Sequence, residues 1–247
     1  DLAGALRVPG DEIAYGPGMA MELALDVRAA GGRVEEMAPV ARIRDDGVAL
    51  ADGRCVAAGH VLLAAGCASP RLWRGERPLD VRPRKGQLVI TDRYPGWIRH
   101  ALVELGYVDS AHGHELESVA FNAQPRVTGQ VLLGSSRRYG DDSPEVDAAL
   151  LARMVRRARR FLPAIGNLQM LRAWTGLRPA TPDGRPLIGR VPGAGGAAGQ
   201  WVATGHEGLG LTTAMGTARL WLDLLLGRTP AIDPVPYAPG RLLEVAT

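Results

Sequence analysis

The chain has 247 residues, 46% of them hydrophobic, and a formal net charge of +3. That is enough apolar sequence for one large core or two smaller ones. It offers no uninterrupted run of the roughly 20 apolar residues that a membrane-spanning helix needs, because Asp223 breaks the longest candidate, 220–226. No signal peptide is recognisable, so a cytoplasmic or membrane-peripheral protein is expected. Since residue 1 is Asp rather than Met, we expect that preceding sequence is missing.

The first 70 residues are predicted to combine one helix with short strands. Gly16-Pro17-Gly18 opens an amphipathic helix, which Gly31-Gly32 ends. Short strands with Asp/Gly turns among them are predicted at 33–36, 40–44, 47–51 and 60–64. The run 61–66 is continuously apolar and ends in small residues, which is typical of a strand covered on both faces of a parallel or mixed sheet.

From residue 79 the pattern changes to longer alternating segments. Antiparallel strands are predicted at 87–91, 102–107, 118–122 and 130–135, with another strand at 171–177. Between them, an arginine-rich run at 153–160 has apolar residues at helical spacing, with a capped beginning at 143–145. Its arginines are expected to form an exposed helix face, so we predict no nucleic-acid partner. The segment 71–172 is interpreted as a substrate domain inserted between two pieces of a first domain, 1–70 and 173–247.

Two blocks near the C-terminus, 174–189 and 201–211, carry the clearest chemical pattern. Arg178 stands at a strand end before Pro179, and its planar guanidinium suits a carboxylate. The stretch 204–212 is a glycine-rich turn that leads into a helix over 211–226, and helix N–H groups suit an electron-rich ligand. An ordinary turn before a core helix and a surface arginine remain the alternatives from spacing alone.

In order and spacing, these blocks resemble the C-terminal half of the FAD-dependent D-amino-acid oxidase superfamily, particularly its glycine oxidase and D-amino-acid dehydrogenase branch. The resemblance implies FAD as cofactor. It also implies an α/β and α+β fold, in which a partial Rossmann-like FAD-binding domain accompanies an antiparallel substrate domain with one long helix. The chain would cover the C-terminal two-thirds of a family member, because it contains no Gly-x-Gly-x-x-Gly fingerprint for the ADP half of a dinucleotide.

The resemblance also implies roles for individual residues. Arg178 matches the arginine that binds the substrate carboxylate, and Lys85 lies in Arg84-Lys85-Gly86-Gln87, which resembles a turn beside the isoalloxazine ring. Lys85 would act near flavin N5, unless the segment is a plain surface turn. Asn122 replaces a tyrosine found near the substrate in relatives, and Phe121 would offer an aromatic wall; this departure leaves the substrate open. Cofactor contacts are implied for Val40, Ala65, Gly66, Gly205, His206, Gly208, Leu209, Gly210, Leu211 and Thr212.

The implied activity is oxidation of the CH–NH bond of an amino acid or similar amine, including a proline-like D-amino acid, by hydride transfer to FAD. Oxygen or a respiratory carrier would accept the electrons. The missing fingerprint leaves a second hypothesis, a non-catalytic or partner-dependent subunit or fragment of a heteromeric flavoprotein.

A metal site is not predicted from the scattered histidines, His60, His100, His112, His114 and His206. The two cysteines, Cys55 and Cys67, lie in apolar strand-like sequence and are expected to be buried, reduced thiols.

Overall fold

A computed structural model describes residues 3–106, 115–194 and 199–243. The chain divides into two compact units. Unit 1 consists of Asp1–Met19 and Arg84–Leu177, and unit 2 of Ala20–Pro83 and Arg178–Thr247. The predicted domain ranges, and the functions assigned to them, stay predictions.

The described residues form eleven strands and four α-helices. The strands are β1 (Val40–Arg44), β2 (Gly47–Leu50), β3 (Cys55–Ala57), β4 (His60–Leu63), β5 (Arg82–Thr91), β6 (Leu102–Val103), β7 (Glu117–Pro125), β8 (Val131–Tyr139), β9 (Met170–Ala180), β10 (Leu187–Arg190) and β11 (Gly199–Thr204). The helices are α1 (Gly16–Ala29), α2 (Ser69–Leu72), α3 (Ala148–Phe161) and α4 (Gly210–Leu225).

Unit 1 is built on a five-stranded sheet in the order β6-β7-β8-β5-β9. Neighbouring strands run antiparallel in the pairs β5/β8, β6/β7 and β7/β8. Because side chains alternate along a strand, one face of the sheet collects the apolar residues that pack with α3. This core contains Val89, Phe121, Ala123, Val131, Leu133, Ala158 and Ile165. The predicted antiparallel sheet with one long helix is therefore confirmed.

Unit 2 contains two small sheets. Strands β1, β2 and β3 form an antiparallel meander, and β10, β11 and β4 form a mixed sheet in which β11 and β4 are parallel. The apolar run at 61–66 therefore does supply a parallel strand, although within β4 only Leu63 is buried. Its core joins Ile43 of β1, Leu63, Leu187 of β10 and Val202 of β11. The mixed sheet is thus anchored to the meander by packing of aliphatic side chains.

Some predicted elements differ from the structure. No strand forms at 33–36; there Arg33 pairs with Glu35, which also pairs with Arg54. Strand β3 was not predicted and pairs with β2. The predicted strand at 102–107 is reduced to β6, and Tyr107 lies outside the described residues. The glycines at 193, 195, 196 and 199 predict a surface loop, of which residues 195–198 lie outside the described residues.

The predicted beginning of the arginine-rich helix was wrong. Helix α3 starts after Asp147, whose carboxylate accepts a hydrogen bond from the Leu150 N–H at 3.0 Å. The side-chain amide of Gln87 holds the Asp147 backbone at both ends, because its Nε2 donates to the Asp147 carbonyl and its Oε1 accepts from the Asp147 N–H. Ser143 binds Lys85 instead of capping the helix. Contacts with strand β5 therefore set where this helix begins.

The cysteine prediction holds only in part. Both cysteines are free thiols, but Cys55 is exposed on β3, so its predicted burial was wrong. Cys67 is half-buried, and this burial raises the pKa of its thiol. Across residues 3–106, 115–194 and 199–243, no helix has the length and apolar character that crossing a bilayer requires. Over those same residues no cluster of three or more metal-ligating side chains occurs; His112 and His114 lie outside them.

Candidate substrate and cofactor site

The glycine-rich turn after β11 is fixed by its backbone geometry. Gly205 has a φ of +81°, and a Cβ there would come within 2.5 Å of Thr181 Cγ2. Thr204 donates a hydrogen bond from Oγ1 to the Gly66 carbonyl at 3.2 Å, and Gly66 itself has a φ of +54°. Two of the predicted cofactor segments, the strand-end residues 65–66 and the turn at 205–212, are therefore neighbours within unit 2.

The first turn of α4 presents backbone donors together with an apolar surface. Leu209 occupies the N-cap position, where no side chain caps the helix. The first N–H groups of an α-helix lack partners within the helix and lie at the positive end of its dipole. Leu209 and Leu211 are 51% and 47% exposed, and a Cβ on Gly210 would meet only His206 Cβ, at 3.5 Å. A flat, electron-rich molecule could pack here against both backbone and aliphatic carbon.

His206 is held inside the turn. Its Nε2 lies 3.0 Å from Thr217 Oγ1 of α4, and its backbone bridges to Ala180 at the end of β9. Burial lowers the pKa of this imidazole, which favours the neutral form. These contacts suit a residue that fixes the turn to α4 rather than one that transfers protons.

Arg178 lies beside a carboxylate that was not among the predicted residues. Its side chain is 19% exposed, and its Nε lies 3.8 Å from Oε1 of Glu207, whose side chain is 15% exposed. Glu207 has a φ of +48°, rare for a residue with a side chain, and its Oε2 accepts a hydrogen bond from the Gly208 N–H. The guanidinium thus already faces one carboxylate at the edge of the α4 turn.

Glu207 could have been noticed from the sequence by its position alone. It is an acidic residue inside a glycine-rich turn, directly before a helix whose N-terminus attracts negative charge. Its partnership with Arg178 depends on the bridge between Ala180 and His206, which the sequence does not reveal.

Lys85 lies in unit 1, where its ammonium binds two neighbouring side chains. The side chain is 4% exposed, and Nζ donates to Asp141 Oδ2 at 2.8 Å and to Ser143 Oγ at 2.9 Å. The hydrogen bond from Lys85 holds the pKa of the Asp141 carboxyl well below its usual range. The predicted turn at 84–87 was wrong, because these residues belong to β5, where Arg84 and Lys85 pair with Tyr139 and Arg138 of β8. A role for Lys85 near flavin N5 stays a prediction.

The two predicted substrate contacts on β7 have different surroundings. Phe121 is 2% exposed and stacks on Phe161 of α3, with ring centroids 4.7 Å apart. Asn122, the next residue, is half-buried and lies between Val103 of β6 and Gly134 of β8. Packing against α3 accounts for Phe121 without a substrate. Substrate contact by either residue stays a prediction.

The predicted residues therefore fall into two groups. Arg178 belongs to unit 2 together with all the predicted cofactor contacts. Of these, Val40 begins β1 and is half-buried, while Ala65, Gly208 and Thr212 are exposed. Lys85, Phe121 and Asn122 belong to unit 1.

Comparisons with known proteins agree on one family. Residues 1–224 match the DAO family model, described as FAD dependent oxidoreductase. Glycine oxidase of Pseudomonas aeruginosa is 36% identical over 205 residues, which cover 79% of this chain and 50% of that protein. D-amino acid dehydrogenase of Paramagnetospirillum magneticum is 32% identical over 248 residues, covering 94% of this chain and 53% of that protein.

The fold has solved counterparts. The crystal structure of glycine oxidase from Geobacillus kaustophilus matches with a TM-score of 0.79 and 28% identity, covering 95% of this chain and 60% of that one. L-proline dehydrogenase from P. horikoshii matches in fold, with a TM-score of 0.77 and 21% identity, over 91% of this chain and 59% of that one. The chain spans about half the length of the curated relatives it matches. It belongs to the DAO family of FAD-dependent oxidoreductases.

Proposed function

We propose that the chain carries the substrate-binding and flavin-contacting part of an FAD-dependent oxidoreductase that oxidises the CH–NH bond of an amino acid or similar amine. The observation that carries this proposal is the contact of Arg178 with Glu207 in the turn that begins α4. It brings a carboxylate-binding group next to backbone donors suited to a reduced, electron-rich ring. The named relatives, glycine oxidase and D-amino acid dehydrogenase, support the same chemistry.

The residues of unit 2 fit a flavin. The uncapped first turn of α4 offers N–H donors, and the exposed carbons of Leu209 and Leu211 offer an apolar surface of the kind that a ring system covers. Gly205 and Gly66 have positive φ angles, which favour glycine, and a side chain at Gly205 would also collide with Thr181. When bound, FAD would supply the hydride acceptor. The residues of unit 2 that would hold the FAD are Val40, Ala65, Gly66, Gly205, His206, Gly208, Leu209, Gly210, Leu211 and Thr212.

The protein side chains would contribute binding and orientation. Arg178 would bind the substrate carboxylate through its fork of N–H donors, which fixes the position of the neighbouring Cα. The α4 turn would stabilise negative charge that develops on the bound ring, as oriented backbone dipoles do in other electrostatic sites. His206, neutral and hydrogen-bonded to Thr217, would keep this turn in place.

Within this class, we propose a proline-like D-amino acid as the substrate. We propose oxygen or a respiratory carrier as the electron acceptor. The matched relatives include both enzymes named oxidases and enzymes named dehydrogenases. Activity with and without an added dye acceptor separates these alternatives. The partner-dependent reading finds no support in the comparisons, whose curated relatives named above are a glycine oxidase and a D-amino acid dehydrogenase.

The test uses the FAD-loaded protein mixed anaerobically with a panel of D- and L-amino acids, glycine and cyclic imino acids. The proposal predicts bleaching of the visible flavin absorbance by at least one of them, and loss of this bleaching at the same substrate concentration in Arg178→Ala. The matched control is Arg160→Ala, an exposed arginine of α3, which should bleach like the unaltered protein. Bleaching that is equally fast in Arg178→Ala would contradict the assignment.

A further inference from the structure

We propose that unit 2 has a second ligand site, a cleft at the end of β1 that binds a small phosphate-bearing anion. The cleft is open to solvent on one side and has a volume of about 680 Å³, within the range of small-molecule sites. It is bounded by residues 42–46 of β1 and the turn after it, and by 71–74, which end α2 and lead away from it. It shares no residue with the proposed flavin and substrate site.

The charge of the cleft is unbalanced. Its lining has four arginines and two aspartates, so two positive charges are in excess. Arg44 is paired with Asp46 through two hydrogen bonds, of 2.8 and 3.1 Å, and Arg74 is paired with Asp45 at 2.8 Å.

The other two arginines carry the excess charge. Among the described residues, the guanidinium groups of Arg42 and Arg71 have no hydrogen-bond or ion-pair partner, and both residues are exposed. Guanidinium groups bind phosphate oxygens through two parallel N–H bonds. A dianion would therefore neutralise the two excess positive charges and accept hydrogen bonds from the guanidinium groups of Arg42 and Arg71.

The walls of the cleft are held in place before any ligand binds. Arg74 donates to the Ile43 carbonyl at 3.2 Å, which ties the segment after α2 to β1. Trp73 donates from Nε1 to the Arg77 carbonyl at 2.8 Å, and a Cβ on Gly75 would come within 2.5 Å of its ring. The indole is thus fixed by the chain folding around it. Preorganised walls lower the entropic cost of binding.

The lining also offers apolar surface, which favours an organic phosphate over a bare ion. Trp73 and Leu72 line the cleft, and both pack against the hydrophobic core of unit 2. An organic phosphate would place its phosphoryl oxygens between Arg42 and Arg71 and its carbon body against these two side chains. Val40, the predicted cofactor contact on the same strand, lies at the opposite end of β1 from the turn at 45–46.

The experiment is a calorimetric titration of the protein with inorganic pyrophosphate at constant ionic strength. We expect saturable binding, weakened at least about tenfold in Arg42→Ala and in Arg71→Ala, because each removes a charged hydrogen-bond donor. Arg71→Lys should recover part of the loss. Arg160→Ala, which removes an exposed arginine from α3, should bind like the unaltered protein. Melting temperatures without ligand verify that the variants fold.

Three results would overturn the proposal: no saturable binding, equal binding in the Arg42→Ala/Arg71→Ala double variant, or equal weakening in Arg160→Ala. Binding of a single-stranded oligonucleotide without binding of pyrophosphate would also overturn it, since a general basic surface would then explain the arginines. Because the flavin site uses other residues, none of these results affects the proposed function.

Discussion

Substrate affinity should respond in opposite directions to changes at the two partners of the Arg178–Glu207 pair. Replacing Arg178 with Ala removes the group proposed to bind the substrate carboxylate. A hydrogen bond to a charged group contributes about 1.5–3 kcal/mol, so the substrate dissociation constant should rise roughly 10- to 150-fold. Replacing Glu207 with Gln removes a carboxylate that competes for the same guanidinium, so the dissociation constant should fall.

The size of the second effect follows from the separation of the charges. Two unit charges 3.8 Å apart attract by about 1 kcal/mol in water and about 4 kcal/mol at an effective dielectric constant of 20. Both side chains keep some exposure, 19% and 15%, so we take the lower part of this range. The expected gain in affinity is about fivefold to tenfold.

The assay is equilibrium titration of the FAD-loaded protein with the best amino-acid substrate under anaerobic conditions, or with a carboxylate analogue that cannot react. A double-mutant cycle over Arg178→Ala and Glu207→Gln isolates the coupling between the two side chains. If Glu207→Gln weakens binding as strongly as Arg178→Ala does, Glu207 supports the bound substrate and the competition argument is refuted.

Three further outcomes are expected. Phe121→Ala should lower the free energy of unfolding, measured in urea, by about 3–5 kcal/mol, because the ring is buried against α3. A loss of substrate affinity without such destabilisation would instead place this ring in the substrate site. Gly205→Ala should weaken FAD binding and lower the melting temperature, since the new Cβ would meet Thr181 at a positive φ; an unchanged flavin titration would count against the turn. The pKa of Asp141 is lowered in the folded state, so its contribution to stability is present above its ordinary value of 3.8 and is lost as the pH falls through the folded pKa. Below pH 3.8, the melting temperature should fall less steeply with decreasing pH in Asp141→Asn than in the unaltered protein. An identical slope would argue against the Lys85 contact.

The sequence predicted those elements that are determined by residues close together in the chain. The helix over 211–226 agrees closely with α4, and the long helix and antiparallel sheet of unit 1 follow from the spacing of their apolar residues. The glycines at 205 and 66 were singled out by type, and both adopt positive φ angles that favour glycine. These features depend on neighbours close in the chain.

Features that depend on contacts distant in the chain were missed. The cap of α3 lies at Asp147 rather than at 143–145 because Gln87, sixty residues away, binds its backbone. Lys85 is buried by a loop that follows β8, and Phe121 by a helix forty residues further on. An alternating pattern identifies a strand, but it does not tell which of its faces a helix will cover.

A crystal structure of the protein with bound FAD and an unreactive amino-acid analogue would show where the flavin ring and the substrate carboxylate bind. We expect the isoalloxazine ring to pack against the turn at 205–212, which leads into α4, and the carboxylate of the analogue to contact the Arg178 guanidinium. A flavin bound away from this turn, or an analogue carboxylate held by other residues while Arg178 keeps Glu207 as its partner, would contradict it.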